Sequence, residues 1–346
     1  MSTPAAAEPA PAPTPYTYRL DGDEHRRIFR EEILPDLLDG AGPPRERPTV
    51  LFIAGQPGAG KSTIEPMMMD EIGMPRDAVR IDGDDLAAYH PRHRDFVAEN
   101  DRTAASRVSP DTGPWWIDAV SRVCEERRDL VISAPLGQAE WSSEQVLTFL
   151  GEGYNVEIAF VATHPALSLA GNLDRYHTAR QPDSQTPARL VPVEVHDRVV
   201  PSVLDTAEHM QNERIVDALH VARRDVGIVH STRLVGNEWT DPTPVREVIV
   251  DERSREWSPE TVDRFRAQVA HLQGVPAEDV PLPDDLAPHV ERVIERGEEH
   301  ILDPTVRYTA DLIVPGMPEA PQVLEPFTPV TSPATPNHGD DFEIDM

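Results

Sequence analysis

The chain is predicted to be an α/β protein, a mainly parallel sheet flanked by helices, with an additional C-terminal region. Three observations predict this. Short apolar runs alternate with stretches long enough for helices. A glycine-rich turn joins the first run to the first of those stretches. A cluster of acids follows the second run, and an open α/β sheet places its ligand crevice outside the C-terminal ends of its strands.

Residues 1–15 are rich in Ala and Pro and read as a disordered tail. Residues 20–39 read as helical, with a bend near Pro35. Residues 49–54 (TVLFIA) form an apolar run between Pro48 and Gly55, hence a buried strand. Further strands are expected at 78–81, 130–134, 156–163 and 227–234. Helices are expected within 62–72, 115–128, 141–150 and 193–224. Residues 245–251 read as a further strand, and 259–272 and 283–298 as peripheral helices. The divisions implied are a tail to 15, a catalytic domain over 16–240, an extension packed on it over 241–325, and an acidic Pro-rich tail over 326–346.

Composition narrows the function. The 346 residues carry 61 acidic and 32 basic side chains, a formal net charge of -29. That field repels nucleic acids and anionic membranes, so neither is expected as a partner. Aromatics make up 5% of the chain, too few for base-stacking platforms. A single cysteine, Cys124, excludes an internal disulfide and reads as a packed thiol. With no long apolar run and no basic-then-apolar leader, a cytoplasmic location is expected.

Residues 55–62 read GQPGAGKS and satisfy G-x-x-x-x-G-K-[ST] at each fixed position. The spacing follows from chemistry. Gly55, Gly58 and Gly60, with Gln56, Pro57 and Ala59 between them, let the backbone curl round phosphate oxygens. Their N–H groups and the start of the next helix, at Ser62 and Thr63, then face the anion. Lys61 reaches the β and γ phosphates and Ser62 offers its hydroxyl to Mg²⁺. Lys61 is the only lysine in the chain; the other 31 Lys or Arg positions are arginine. A compact, flexible ammonium is thus kept for the one place where it faces phosphates. The pattern predicts a P-loop NTPase or kinase that binds ATP or GTP with Mg²⁺; together with the acids and arginines that follow, it points to phosphoryl transfer to a small-molecule acceptor.

Residues 79–86 (VRIDGDDL) place acids after the second strand. Asp84 is the first choice as the base that takes a proton from an attacking hydroxyl, with Asp82 and Asp85 as alternatives. His90 is a candidate for the substrate mouth. Phosphoryl transfer also needs cations round the equatorial oxygens. Arg175 and Arg189 are the best candidates, and Arg180 a weaker one, in a polar, Pro-containing stretch expected to be irregular.

With these residues the chain resembles the zeta toxin family, P-loop kinases of UDP-N-acetylglucosamine. The resemblance rests on GQPGAGKS (55–62), IDGDDLAAYHP (81–91), the strand 130–134, DRY (174–176), TPAR (186–189) and VEVHD (193–197), and covers about residues 20–235. It implies phosphate binding by Lys61, magnesium at Ser62, general base Asp84, phosphoryl stabilisation by Arg175 and Arg189, and an antitoxin partner covering the nucleotide site. The acceptor segment departs from the pattern. After the third strand the family usually shows an acid, then Gly-Thr, then an arginine two positions on. Here the stretch is ISAPLGQ (132–138), with Ser133, Pro135 and Gly137 at the acid, threonine and arginine positions. Where some members place a substrate-binding glutamate, this chain offers Ile117 or Asp118. Asp82, His90, Asp118, Ser133 and Gln138 are therefore the expected acceptor contacts.

Overall fold

The computed structural model describes residues 18–304 except 185, 187 and 276–279. The expectations for residues 1–15 and 326–346 fall outside the described residues. The chain opens with α1 (Gly22–Ile28), capped by the Asp21 carboxylate on the N–H groups of Asp23 and Glu24. The bend expected near Pro35 appears as a π-helical turn, Phe29–Ile33, leading into α2 (Leu34–Leu38). The strand β1 (Thr49–Ala54) is buried from Val50 onward and runs through the phosphate loop into α3 (Lys61–Glu71).

β2 (Val79–Asp82) leads into a 3₁₀ turn, Asp85–Tyr89, then α4 (His93–Asn100) and α5 (Ala104–Glu125). β3 (Leu130–Ala134), α6 (Ala139–Gly151), β4 (Asn155–Val161), α7 (Pro165–Ala179) and α8 (Val193–Glu213) follow. Then come β5 (Ala218–Arg223), β6 (Gly227–Val235) and β7 (Glu238–Trp239). The order across the seven-stranded sheet of the described residues is β2-β3-β1-β4-β5-β6-β7. β1 to β5 run parallel, and β6 and β7 are antiparallel additions at one edge. No helix among the described residues is long and apolar enough to cross a membrane.

Four elements differ from expectation. Residues 193–224 are not one helix: Arg214 adopts φ 54 and ends α8, and the chain re-enters the sheet as β5. His220 interrupts the apolar run there, but the ring is satisfied by Glu157 (2.9 Å) and Ser231 (2.7 Å). Residues 245–251 form no strand. They belong to α9 (Val245–Arg253), because Val245, Ile249, Val250 and Arg253 bury one helical face. Next, α5 starts eleven residues before the expected 115 and passes through Pro110 and Pro114, since Val108, Asp111 and Trp115 pack inward along it. Finally, the stretch bearing Arg175 is helical to Ala179, not irregular.

The extension continues as α10 (Pro259–Leu272) and α11 (Ala287–Leu302). Phe265, Leu272, Val290 and Val293 pack on Leu169, Leu173 and Tyr176 of α7. Gly297 of α11 lies against the buried Phe265 ring, where an added Cβ would overlap it. A Gly297→Ala change gains about 1 kcal/mol of helix propensity. Overpacking against a ring that has no room to move costs about 1–3 kcal/mol. The variant is therefore expected to melt a few degrees lower than wild type by calorimetry; a higher melting temperature would show that α10 and α11 do not pack this way.

Candidate phosphoryl-transfer site

β1 delivers the phosphate loop to the C-terminal edge of the sheet. Gly58 and Gly60 have φ of 76° and 90°, a region that favours glycine. Their lack of a side chain is also spatially required. A Cβ on Gly58 would strike the Ser168 carbonyl of α7, and one on Gly60 would strike the Arg224 side chain. Gln56 is fully buried beneath the loop. Its Nε2 donates to the Thr163 carbonyl (2.8 Å) and to Ser168 Oγ (3.2 Å), and its Oε1 accepts from Arg253 Nη2 (2.8 Å). Thr163 Oγ1 in turn donates to the Ala59 carbonyl (2.8 Å).

Lys61 starts α3, and its Nζ donates to the Gly55 carbonyl at 2.9 Å. Burial pushes its pKa down to about 8; Asp82 opposes the shift, while Arg175 and Arg189 add to it. The same three cations pull against burial at Asp82, whose pKa is raised on balance. Lys61, Asp82, Arg175 and Arg189 therefore share one electrostatic site. Ser62 and Thr63 are exposed in the first turn of α3.

Asp82 ends β2, and its Oδ1 accepts the Asp84 N–H at 2.9 Å, a turn that lifts Asp84 into the crevice. Asp84 is ion-paired with Arg189. Arg175 stands one helical turn beyond Gly171, the α7 residue packed on Gly58, so it continues the helix face that meets the loop. The segment carrying Arg189 is tied to the same helix by Asn172 Nδ2, which donates to the Val191 carbonyl at 2.8 Å. These side chains border a cleft of about 620 Å³, lined also by Tyr89, His93, Ser109 and Thr112.

The other expected residues divide. Ser133 pairs in register with Asp82 at the sheet edge, so it adjoins the site. His90 is buried: its Nδ1 accepts the Arg92 N–H at 3.2 Å and its Nε2 lies 3.5 Å from Asp111, so it holds α5 rather than the substrate mouth. Asp118 is exposed and lies beyond the stretch of α5 that lines the cleft. Gln138 faces a separate groove with Glu140, Glu144 and Asp205. Arg180 pairs with Asp101 at 3.4 Å. Cys124 is a buried free thiol, as expected, with its pKa pushed up to about 12 by burial. The sequence reading missed Arg224 and Arg253. The Ala-Arg-Arg triplet at 222–224 would have signalled the former had β5 been recognised, because it ends a parallel strand.

Residues 36–234 match the family model described as Zeta toxin. This chain belongs to the zeta toxin family. Among curated relatives it is similar to Toxin PezT of Streptococcus pneumoniae, 25% identical over 213 residues, 62% of this chain and 81% of that one. It is also similar to Toxin zeta of Streptococcus pyogenes, 23% identical over 180 residues, 52% of this chain and 62% of the relative; it thus spans about three fifths of that protein. A solved structure from the PezAT chromosomal toxin-antitoxin system of Streptococcus pneumoniae shares the fold. The TM-score is 0.63 at 22% identity, covering 74% of this chain and 99% of that one. The zeta toxin match ends at 234, so α9, α10 and α11 lie beyond it.

The lowered Lys61 pKa sets a pH dependence. Below about 8 the ammonium is charged in the free protein, and above it the charge is lost. A bound triphosphate favours the charged form, so above pH 8 binding must take up a proton. The dissociation constant for ATP, measured by titration calorimetry, is expected to stay level from pH 6.5 to 8 and then to rise toward about tenfold per pH unit. A level profile to pH 9.5 would contradict the assignment of Lys61 to the phosphates.

Proposed function

We propose that the protein is a zeta-type kinase that transfers the γ-phosphoryl group of ATP or GTP to a hydroxyl of a sugar nucleotide, with UDP-N-acetylglucosamine as the first acceptor to test. The observation that carries this reading is the convergence of Asp82, Asp84, Arg175 and Arg189 on one cleft at the C-terminal edge of the parallel sheet, with Lys61 of the phosphate loop close enough to act on Asp82 and both arginines. A phosphate loop alone supports only nucleotide binding. A carboxylate and two arginines beside it are what phosphoryl transfer adds.

In this mechanism the loop N–H groups and Lys61 hold the β and γ phosphates. The acceptor hydroxyl lies in the cleft lined by Asp82–Asp85 and α5. Asp84 takes its proton as oxygen attacks phosphorus, the bond to the β-phosphate oxygen breaks, and nucleoside diphosphate leaves. Arg175 and Arg189 balance the charge on the equatorial oxygens. Asp84 is ion-paired with Arg189. An incoming phosphate competes for Arg189 and frees the carboxylate to act as base.

The oxygen donors present suit Mg²⁺, a hard cation that keeps waters and takes much of its shell from substrate phosphates. Among the described residues no group of three or more His, Cys, Asp or Glu could form a protein cage, so the fit is to an ion held mainly by the nucleotide, with Ser62 as the protein ligand. When bound, it neutralises charge on the β and γ phosphates.

The acceptor is where the chain departs from its family. Ser133 stands beside Asp82 in place of the family's acid, and neither Asp118 nor Gln138 lines the cleft. Loss of a carboxylate and an arginine removes charge-assisted hydrogen bonds to a sugar nucleotide. This favours, as a second reading, a different small alcohol held by Tyr89, Ser109 and Thr112. An antitoxin partner covering the nucleotide site is part of the proposal; membership of the zeta toxin family and the toxin-antitoxin origin of the structural relative support it.

Asp84→Asn is expected to reduce transfer by at least about a hundredfold and to leave ATP affinity within a few-fold of wild type. Equal trace turnover in the two proteins, followed with labelled ATP, would sink the kinase reading.

A further inference from the structure

A second pocket opens beside the phosphate loop, on the opposite side from the Asp84 cleft. Ala162, Thr163 and His164 at the end of β4 and Arg223–Asp225 at the end of β5 form one wall. Residues 252, 253, 255–258, 261 and 264 of the extension form the other. The pocket is narrow, about 60 Å³. Five arginines and three acids line it, in a chain whose formal charge is -29.

The pairing of those charges leaves a surplus. Arg223 is bound by Asp225 and Glu252, and Arg255 by Glu252. Arg224 and Arg264 have no carboxylate within 4 Å among the described residues. Burial lowers the pKa of Arg224, Arg264 lowers it further, and the more distant Asp225 only partly opposes them. Behind them lies Arg253, 1% exposed; its hydrogen bonds among the described residues go to the Val200 carbonyl (2.9 Å) and Gln56 Oε1 (2.8 Å). Its Nε has no hydrogen-bond partner. A buried guanidinium without a carboxylate is costly unless an anion balances it. The pocket also adjoins the phosphate cradle, because the Arg224 side chain runs across Gly60, the residue before Lys61.

We propose that this pocket is an anion subsite of the donor site, in which Arg224 and Arg264 grip the α-phosphoryl group of a nucleoside triphosphate whose β and γ phosphates lie at Lys61. The inference rests on the kinase reading above and deepens it. With the acceptor in the Asp84 cleft, the remainder of the donor leaves the loop on the other side, where this pocket lies. Arg264 belongs to α10, outside the span matched to the zeta toxin family, so the extension supplies part of the donor site. Arg253 is a positioning residue in this arrangement: it holds Gln56 and adds a fixed positive potential beneath the loop.

The test is ATP binding by titration calorimetry to wild type, Arg224→Gln, Arg264→Gln, Lys61→Met and Arg266→Gln, with melting temperatures taken for each. Arg264 is exposed, so its replacement leaves the fold intact. Arg266 lies on the same helix and faces Glu298 at 3.5 Å, away from the pocket. The expected result is a dissociation constant raised about tenfold or more in Arg224→Gln and Arg264→Gln, and unchanged within twofold in Arg266→Gln. If Lys61→Met loses binding while Arg264→Gln stays within twofold of wild type, the subsite is overturned and the donor reading stands. If wild type binds neither ATP nor GTP, both fall together.

Discussion

The site depends on one buried amide. Gln56 occupies a position that the phosphate-loop pattern leaves free, yet it is fully enclosed and bonds to β4's end, to α7 and to α9 at once. Leaving such a group unpaired costs about 1–3 kcal/mol, so the three elements and the loop are held to one geometry. The network extends further. Ser168 Oγ lies 2.9 Å from His196 Nε2, His196 Nδ1 lies 3.0 Å from Asp197, and Asp197 accepts from Arg292 and Arg296 of α11. Serine, histidine and aspartate are aligned here, but Ser168 and His196 are completely buried. Their role is to join loop, α7, α8 and extension. Burial alone would raise the Asp197 carboxyl, but the His196 hydrogen bond and Arg296 hold it at about 2.

Electrostatics then divide the crevice into two halves. On the β2 side, the carboxylates Asp82 and Asp84 share one cleft with Arg175 and Arg189. On the β5 side, arginines outnumber their partners. Such local surpluses persist in a strongly acidic chain because buried charges are screened less than surface ones. The overall field is negative, with 61 acidic against 32 basic side chains, while five arginines face three acids in the pocket on the β5 side.

Much of this was legible in the sequence. The strand 130–134 and the helix 259–272 match the structure residue for residue, because turn residues bound a clear periodic pattern at each. The phosphate loop and the acids of 82–85 were legible because their spacing is dictated by ligand chemistry rather than by packing. The missed elements had their signals masked. His220 hid β5, and its partners Glu157 and Ser231 come from neighbouring strands that no local window contains. The β-branched run at 245–250 read as a strand because α8 and β5, which receive its helical face, are remote in sequence. His90 looked available, but Asp111 of α5 claims it. The extension's part in the site was invisible, since Arg253 and Gln56 lie 197 positions apart.

The zeta toxin fold thus carries an intact phosphate loop, while Ser133 pairs with Asp82 where the family's acid is expected. The most direct measurement of the central claim is transfer from γ-labelled ATP to a panel of nucleotide sugars and small alcohols, with products separated and identified. The account predicts label covalently attached to one hydroxyl-bearing acceptor. Label released only as inorganic phosphate, or retained wholly on ATP across the panel, would contradict it.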